Sequence, residues 1–161
     1  MRPVTLMKIT SVLIDRAAER GFRRRALRRA NREYMELLYG YVRHGMAHVC
    51  VFMPLEHTGT RTAIYCEQEA YDDCDVDAKE HHLQRLGTVH THIGYDDAIF
   101  SEGDLWAHVN DPQDLVMGIC AIEKRHTKNG KVRRKCHVAY WPGVLPLNLD
   151  YTNWNRGKEV A

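Results

Sequence analysis

The stretch Gly87-Thr88-Val89-His90-Thr91-His92, followed further on by Ser101-Glu102-Gly103-Asp104, decides how the rest of the chain is read. A glycine opens it, Val89 is β-branched, and the run to His92 reads as a strand. Residues two apart on a strand point to the same side, so His90 and His92 present two imidazoles to one point in space. Ile93 to Phe100 reads as a loop. Ser101 then reads as the N-cap of a helix running to Asn110, with Leu105, Trp106 and Val109 on it and Asp111-Pro112 as its stop. Asp104 falls in the first turn of that helix, where a carboxylate can reach back toward the strand end.

Further elements extend on both sides. Met46 to Met53 is a short apolar run that reads as a buried strand, Pro54 to Thr62 as a loop, and Ala63 to Cys66 as a second strand. Glu67 to Asp77 is acidic, and Asp77 to Leu86 reads as a helix leading into Gly87. Leu115 to Glu123 reads as another buried strand. Asn129-Gly130 signals a hairpin turn, and Lys131 to Trp141 returns as the partner strand before Pro142, Gly143 and Pro146 end it. Toward the N-terminus, Pro3 to about Leu38 reads as helical, with Leu6, Ile9, Leu13 and Ala17 at helical spacing and a break at Gly21. A second helix from Phe22 would carry Ala26, Ala30, Glu33 and Leu37 on one face. This order implies a mixed α/β (α+β) domain, a central mixed β-sheet flanked by helices. Residues 1–161 are expected to form one domain, with 1–30 a basic helical segment packed on it and 147–161 a tail to which no element is assigned.

Composition narrows the class. The chain has 161 residues, 44% hydrophobic and 27% charged, which fits one globular domain with a core of its own. No apolar run approaches the roughly 18–20 residues of a membrane span, and no secretion signal is read at the start. A cytoplasmic protein with no membrane partner is expected. Lys plus Arg number 23 against 21 Asp plus Glu, so net charge makes no general case for nucleic acid as a partner. The charge is uneven, however: Arg16 to Arg32 holds eight arginines and one acid, Glu19. A second basic cluster comprises Lys124, Arg125, Lys128, Lys131, Arg133, Arg134 and Lys135. Each reads first as a solvated face and second as a docking surface for an acidic partner or nucleic acid. Five cysteines without a Cys-x-x-Cys pair read as free thiols in a reducing compartment. A second metal held by Cys66 and Cys74 with His81 or His82 matches no strong spacing. Trp106, Trp141 and Trp154 read as core or rim aromatics.

Two imidazoles and one carboxylate with an open fourth position make the donor set of a catalytic zinc site. Such an ion lowers the pKa of a bound water toward neutrality, and a general base beside it completes the chemistry. Glu33, an acid in an otherwise apolar stripe, is the candidate base, and Glu36 is its rival. Asp96 and Asp97 rival Asp104 as the third ligand. Taken one at a time, each residue also has a plain structural explanation. Ten histidines produce neighbours by chance, Ser101 can be only a cap, Asp104 can be only an acid favoured by the helix dipole, and Glu33 can pair with an arginine. Together they point to a metal-dependent hydrolase.

The set resembles the JAMM motif of the MPN+ (JAB) metalloprotease family: an upstream Glu, His-Ser/Thr-His, then Ser-x-x-Asp. Glu33 stands ahead of Glu36-Leu37-Leu38-Tyr39-Gly40, which is similar to the family's Gly-Leu-Leu-x-Gly segment. The resemblance spans approximately Arg32 to Tyr140. It implies an MPN/JAB-like (cytidine-deaminase-like) domain of the compact prokaryotic type. It implies zinc on His90, His92 and Asp104, Glu33 as the base, and Ser101 as a stabiliser of the oxyanion. The implied reaction is hydrolysis of the amide bond after the C-terminus of a ubiquitin-like modifier, in deconjugation or precursor processing. The implied partners are that modifier, its conjugates and components of a conjugation system. Three positions depart from the pattern. Ile93 to Phe100 are eight residues where the family has seven, Ile93 replaces a proline, and Glu36 replaces the first glycine. Two other readings remain open. One is a metal-dependent phosphoesterase using Asp96-Asp97 and two metal ions, with the Arg-rich helix on nucleic acid. The other is a non-catalytic scaffold of the same fold, which would lack ligands that here are all present.

Overall fold

The structure is a computed structural model that describes residues 9–95, 97–110 and 114–142. The tail from residue 147, the first eight residues, Asp96, Asp111-Pro112 and Trp154 lie outside the described residues. Among the described residues, eight strands and three helices follow in the order β1 (Ser11–Ile14), α1 (Arg16–Arg28), β2 (Met35–Arg43), β3 (Met46–Pro54), β4 (Thr58–Gly59), β5 (Ile64–Tyr65), α2 (Gln68–Glu80), β6 (Gln84–Ile93), α3 (Glu102–Asn110), β7 (Val116–His126) and β8 (Val132–Trp141). Six strands form one sheet in the order β1-β3-β2-β6-β7-β8, and β4 pairs with β5 in a separate small hairpin. β1–β3 and β6–β7 are parallel and the other neighbours antiparallel, so the sheet is mixed, as expected.

The sheet is covered on both faces. Phe22, Ala26 and Ala30 pack with Leu38, Val49, Phe52, Val89, Cys120 and Ile122 on one face. Cys74 and Ala78 of α2 pack with Met35, Leu37, Tyr39 and Leu55 on the other. Strand alternation makes this division: Met35, Leu37 and Tyr39 point to α2, while Glu36 and Leu38 point to α1. β2 is therefore buried on both sides along Met35–Gly40.

That double burial explains the main correction. Pro3 to Leu38 is not a continuous helical region: among the described residues, β1, α1 and the start of β2 share it. A strand buried on both faces is an unbroken apolar run, which periodicity does not separate from a buried helix. Ala26, Ala30, Glu33 and Leu37 thus do not lie on one helical face, and Glu33 belongs to the loop before β2. α1 itself is well signalled: Asp15 caps it by accepting from the Ala18 N–H at 2.8 Å, and Glu19 lies in its first turn. Gly40 sits at an irregularity inside β2, where a Cβ would lie 1.7 Å from the His48 carbonyl oxygen. The chain reverses at His44-Gly45, both at positive φ, the backbone that a two-residue hairpin turn demands.

The helix expected over Asp77–Leu86 lies earlier, at Gln68–Glu80, so the acidic run is the helix. Residues Met46–Pro54, Gln84–Ile93, Val116–His126 and Val132–Trp141 are strands where strands are expected. A second correction concerns thiols. Cys120 and Cys136 form a disulfide across β7 and β8, with Cα atoms 6.1 Å apart. They are diagonal neighbours on the α1 face of a hairpin whose register sets Ile122 opposite Cys136. Cys50, Cys66 and Cys74 are free. No helix among the described residues is long and apolar enough to cross a membrane.

Candidate metal centre

β6 runs through the middle of the sheet, between β2 and β7. His90 pairs with Met35 on β2 and with Ile119 on β7. The β2–β6 contact continues past its last ladder pair: the Thr91 N–H donates to the Tyr34 carbonyl at 2.9 Å, and the Tyr34 N–H donates to Thr91 Oγ1 at 2.8 Å. These bonds bring Glu33 to the His92 end of β6. Alternation then sorts the side chains. Glu33 and Met35 share a face with His90 and His92, while Tyr34 and Glu36 lie on the face that α1 covers.

His90 Nε2 and His92 Nε2 are 3.2 Å apart. The Asp104 carboxylate spans both, with Oδ1 at 3.1 Å from His90 Nε2 and Oδ2 at 3.4 Å from His92 Nε2. Four ligands at the zinc distances of about 2.0–2.1 Å in a tetrahedron stand about 3.3–3.4 Å from one another. The two imidazole nitrogens stand at about such an edge, and one ligand atom from each of the three side chains lies within 4.8 Å of the others, so the donor set fits a zinc ion. This is also the only grouping of three His, Cys, Asp or Glu side chains at metal-holding distances among the described residues. Asp97 is exposed and is not part of it, and neither are Cys66, Cys74, His81 or His82.

The eight residues between His92 and Ser101 leave Asp104 within reach of both histidines. Gly94 turns at positive φ while its N–H still donates to Ile122, and Phe100 packs edge-on against Trp141 with ring centres 6.2 Å apart. Ser101 and Asp104 form a reciprocal cap: the Asp104 N–H donates to Ser101 Oγ at 3.0 Å, and the Ser101 N–H donates to Asp104 Oδ2 at 2.8 Å. Burial pushes the Asp104 carboxyl up, but hydrogen bonds from His90, His92 and Ser101 together outweigh it and hold it far below the usual carboxylate range. The bond to Asp104 raises His92 against the opposing effect of burial. His92 and Asp104 thus stabilise each other's charged forms.

Glu33 is half-buried. Burial raises its carboxyl, His90 and His92 pull it down, and Asp104 adds to the rise. Its side chain forms no hydrogen bond among the described residues, so its oxygens remain available to a proton. Its backbone is gripped. The Glu33 N–H donates to the Thr60 carbonyl at 2.6 Å, and Gly59 lies so close that a Cβ there would be 1.9 Å from the Glu33 oxygen. Glu36, the rival base, is fully buried on the opposite face. Arg25 holds it with two bonds, Nε to Oε1 at 2.6 Å and Nη2 to Oε2 at 2.9 Å, and the Tyr34 hydroxyl donates to Oε1 as well. That carboxylate is a structural counter-ion for the helix.

A groove of about 490 Å³ opens beside Glu33, lined by Arg29, Asn31, Arg32, Tyr34, His57, Thr58 and Gly59. Sequence reading missed its far wall, because His57, Thr58 and Gly59 reach it only through the β3–β4 connection. His57 is locked: the Met35 N–H donates to Nε2 at 3.3 Å and Nδ1 bonds the Leu55 carbonyl at 2.9 Å.

No protein-family model matches this chain. No curated protein matches it either. Solved structures do. A crystal structure of a JAB1/MPN domain protein from Archaeoglobus fulgidus is similar at 17% identity and a TM-score of 0.47, over 80% of this chain and 88% of that one. The solution structure of a protein from Desulfitobacterium hafniense is similar at 15% identity with a TM-score of 0.56, over 77% of this chain and 89% of that one. At that identity the Desulfitobacterium likeness is one of fold, a mixed sheet flanked by helices.

Proposed function

We propose that this chain is a zinc-dependent peptidase or isopeptidase that hydrolyses the amide bond after the C-terminus of a ubiquitin-like modifier. The observation that carries the reading is the meeting of His90, His92 and Asp104 at metal-holding distances with the half-buried Glu33 beside them. His90, His92 and Asp104 would hold the zinc. When bound there, the ion would acidify a water and polarise the scissile carbonyl. Glu33, with no competing hydrogen bond among the described residues, takes the proton of the attacking water and delivers it to the leaving amine. Ser101 accepts the Asp104 N–H and keeps its own hydroxyl proton to donate to the developing oxyanion. The modifier and its conjugation machinery come from the motif resemblance. Among the described residues, which do not include Asp96, one three-residue cluster stands at metal-holding distances, as the one-metal reading requires.

The test is hydrolysis of linear fusions and lysine-linked conjugates of ubiquitin-like proteins by the purified chain, alongside metal analysis. Cleavage should accompany one zinc per chain, stop with chelator and return on adding zinc. Glu33→Ala should abolish it with the metal content intact. Cleavage that survives both chelation and Glu33→Ala would overturn the mechanism, and two metals per chain would favour phosphate chemistry.

A further inference from the structure

The arginines of the N-terminal run divide into two kinds. Arg23 pairs with Glu19 and Arg25 with Glu36. Arg29 and Arg32, both exposed, have no acidic partner among the described residues, and both line the groove beside Glu33. The Arg29 guanidinium is held over the Tyr34 ring, 5.3 Å from its centre. On the far side, Arg134 of β8 reaches Asn31 Oδ1 at 3.4 Å and adds a further positive charge at the rim. The groove therefore sets two guanidinium charges against the one carboxylate of Glu33. Beyond His57 and Thr58 the surface changes sign: the neighbouring groove is lined by Glu56, Glu67, Glu69 and Asp73.

We propose that the groove formed by Arg29, Asn31, Arg32 and Tyr34 is a specificity subsite that takes an acidic side chain of the substrate polypeptide close to the scissile amide. This rests on the hydrolase reading above and deepens it by naming a substrate class. Guanidinium groups recognise carboxylates with paired, planar hydrogen bonds, and a guanidinium already stacked on a ring loses less freedom on binding. The occupant is a short acidic peptide segment and not a nucleic acid. A continuous phosphate backbone following the groove would run into the carboxylates past Thr58, whereas one or two acidic side chains would stop short of them.

The experiment is fluorescence anisotropy with a short labelled peptide carrying glutamates, its glutamine counterpart, and a single-stranded oligonucleotide of similar length, against the full chain at low and high salt. The glutamate peptide should bind about tenfold more tightly than the glutamine one at low salt, a difference of about 1.4 kcal/mol, and the gap should narrow as salt rises. Arg29→Glu with Arg32→Glu should erase the preference, as should the milder Arg29→Gln with Arg32→Gln. Arg24→Glu with Arg28→Glu, exposed on α1 but outside the groove, should keep it. Equal binding of the two peptides, equal loss in the groove and control variants, or tighter binding of the oligonucleotide would each overturn the proposal. Hydrolysis is read separately with matched amide substrates. Cleavage without preference for the acidic substrate overturns the subsite. Absence of all cleavage, with the acidic preference in binding intact, overturns the hydrolase reading and leaves the groove standing.

Discussion

Glu33 and Glu36 are three positions apart, one half-buried and the other fully buried, and the fold gives them opposite tasks that one set of variants can separate. Glu36 is fully buried against Arg25, with bonds of 2.6 and 2.9 Å. Arg25→Ala would leave that carboxylate with only the Tyr34 hydroxyl. Removing one partner of a buried ion pair typically costs about 3–5 kcal/mol. The Arg25 side chain is 35% exposed, so water can follow into the vacated space. The low end, about 3 kcal/mol, is therefore expected. For a chain of this size that corresponds to a fall in Tm of roughly 6–12 °C. Glu36→Gln should destabilise in the same direction, yet hydrolysis per folded molecule should stay close to the parent. Glu33→Gln should do the reverse: Tm within a degree or two (about 0.5 kcal/mol or less), and hydrolysis lost. Urea denaturation followed by circular dichroism measures the first quantity, and initial rates on a conjugate, normalised to folded protein, measure the second. The double variant Arg25→Met with Glu36→Leu should recover much of the stability, since an apolar pair can replace a buried ion pair. If Arg25→Ala costs less than about 1 kcal/mol, the pair is not the anchor described. If folded Glu36→Gln is inactive while Glu33→Gln turns over, the two roles are reversed.

Other consequences are open to direct measurement. Gly59→Ala forces a methyl to within 1.9 Å of the Glu33 carbonyl oxygen, so hydrolysis should fall by about a hundredfold with zinc content unchanged; an unaltered rate would show that the β4–β5 hairpin does not position Glu33. His48 is half-buried beside Tyr41, and burial holds its imidazole below the ordinary value despite the pull of Asp15. Its neutral form is favoured on folding, so that contribution is present at neutral pH and fades as the pH falls below about 6.5. His48→Gln should lose less stability than the parent between neutral and mildly acid pH in matched denaturation curves. An identical acid loss would exclude His48 as a source. The Cys120–Cys136 disulfide closes a loop with a sequence separation of 16, which corresponds to about 3 kcal/mol of unfolded-state restriction. Cys120→Ala with Cys136→Ala should lower the unfolding free energy by that order, and a change below about 1 kcal/mol would mean that the two strands hold each other without the bond.

The legible parts of the fold share a physical cause. β3, β6, β7 and β8 are bounded by turn-forming residues or loops and carry β-branched or alternating side chains, so each announces itself locally. β2 does not. Met35 to Gly40 is covered by α1 on one side and α2 on the other, and a run buried at every position, with only Glu36 charged, has no period to read. The same loss of period moved Glu33 onto a helix in the sequence reading. α2 was displaced because its face toward the core is narrow, with Cys74 and Ala78 the buried residues among many acids. The disulfide was missed for another reason: two cysteines become neighbours only once a register is chosen, and that register belongs to the β7–β8 hairpin.

Read alone, the chain determined the chemistry it could offer. The alternation of a strand puts His90 and His92 on one side, and the capping pattern of Ser101 and Asp104 starts a helix with its carboxylate facing backward; both are local rules needing only neighbouring residues. Which acid stands beside those imidazoles was a tertiary decision. Glu33 and Glu36 look alike along the chain, but they stand three positions apart, an odd step, so pairing of β2 with β6 sends one to the histidines and the other to Arg25. The groove next to Glu33 was decided the same way, because Arg29, Arg32 and His57 meet only after the β3–β4 connection folds back over the end of α1.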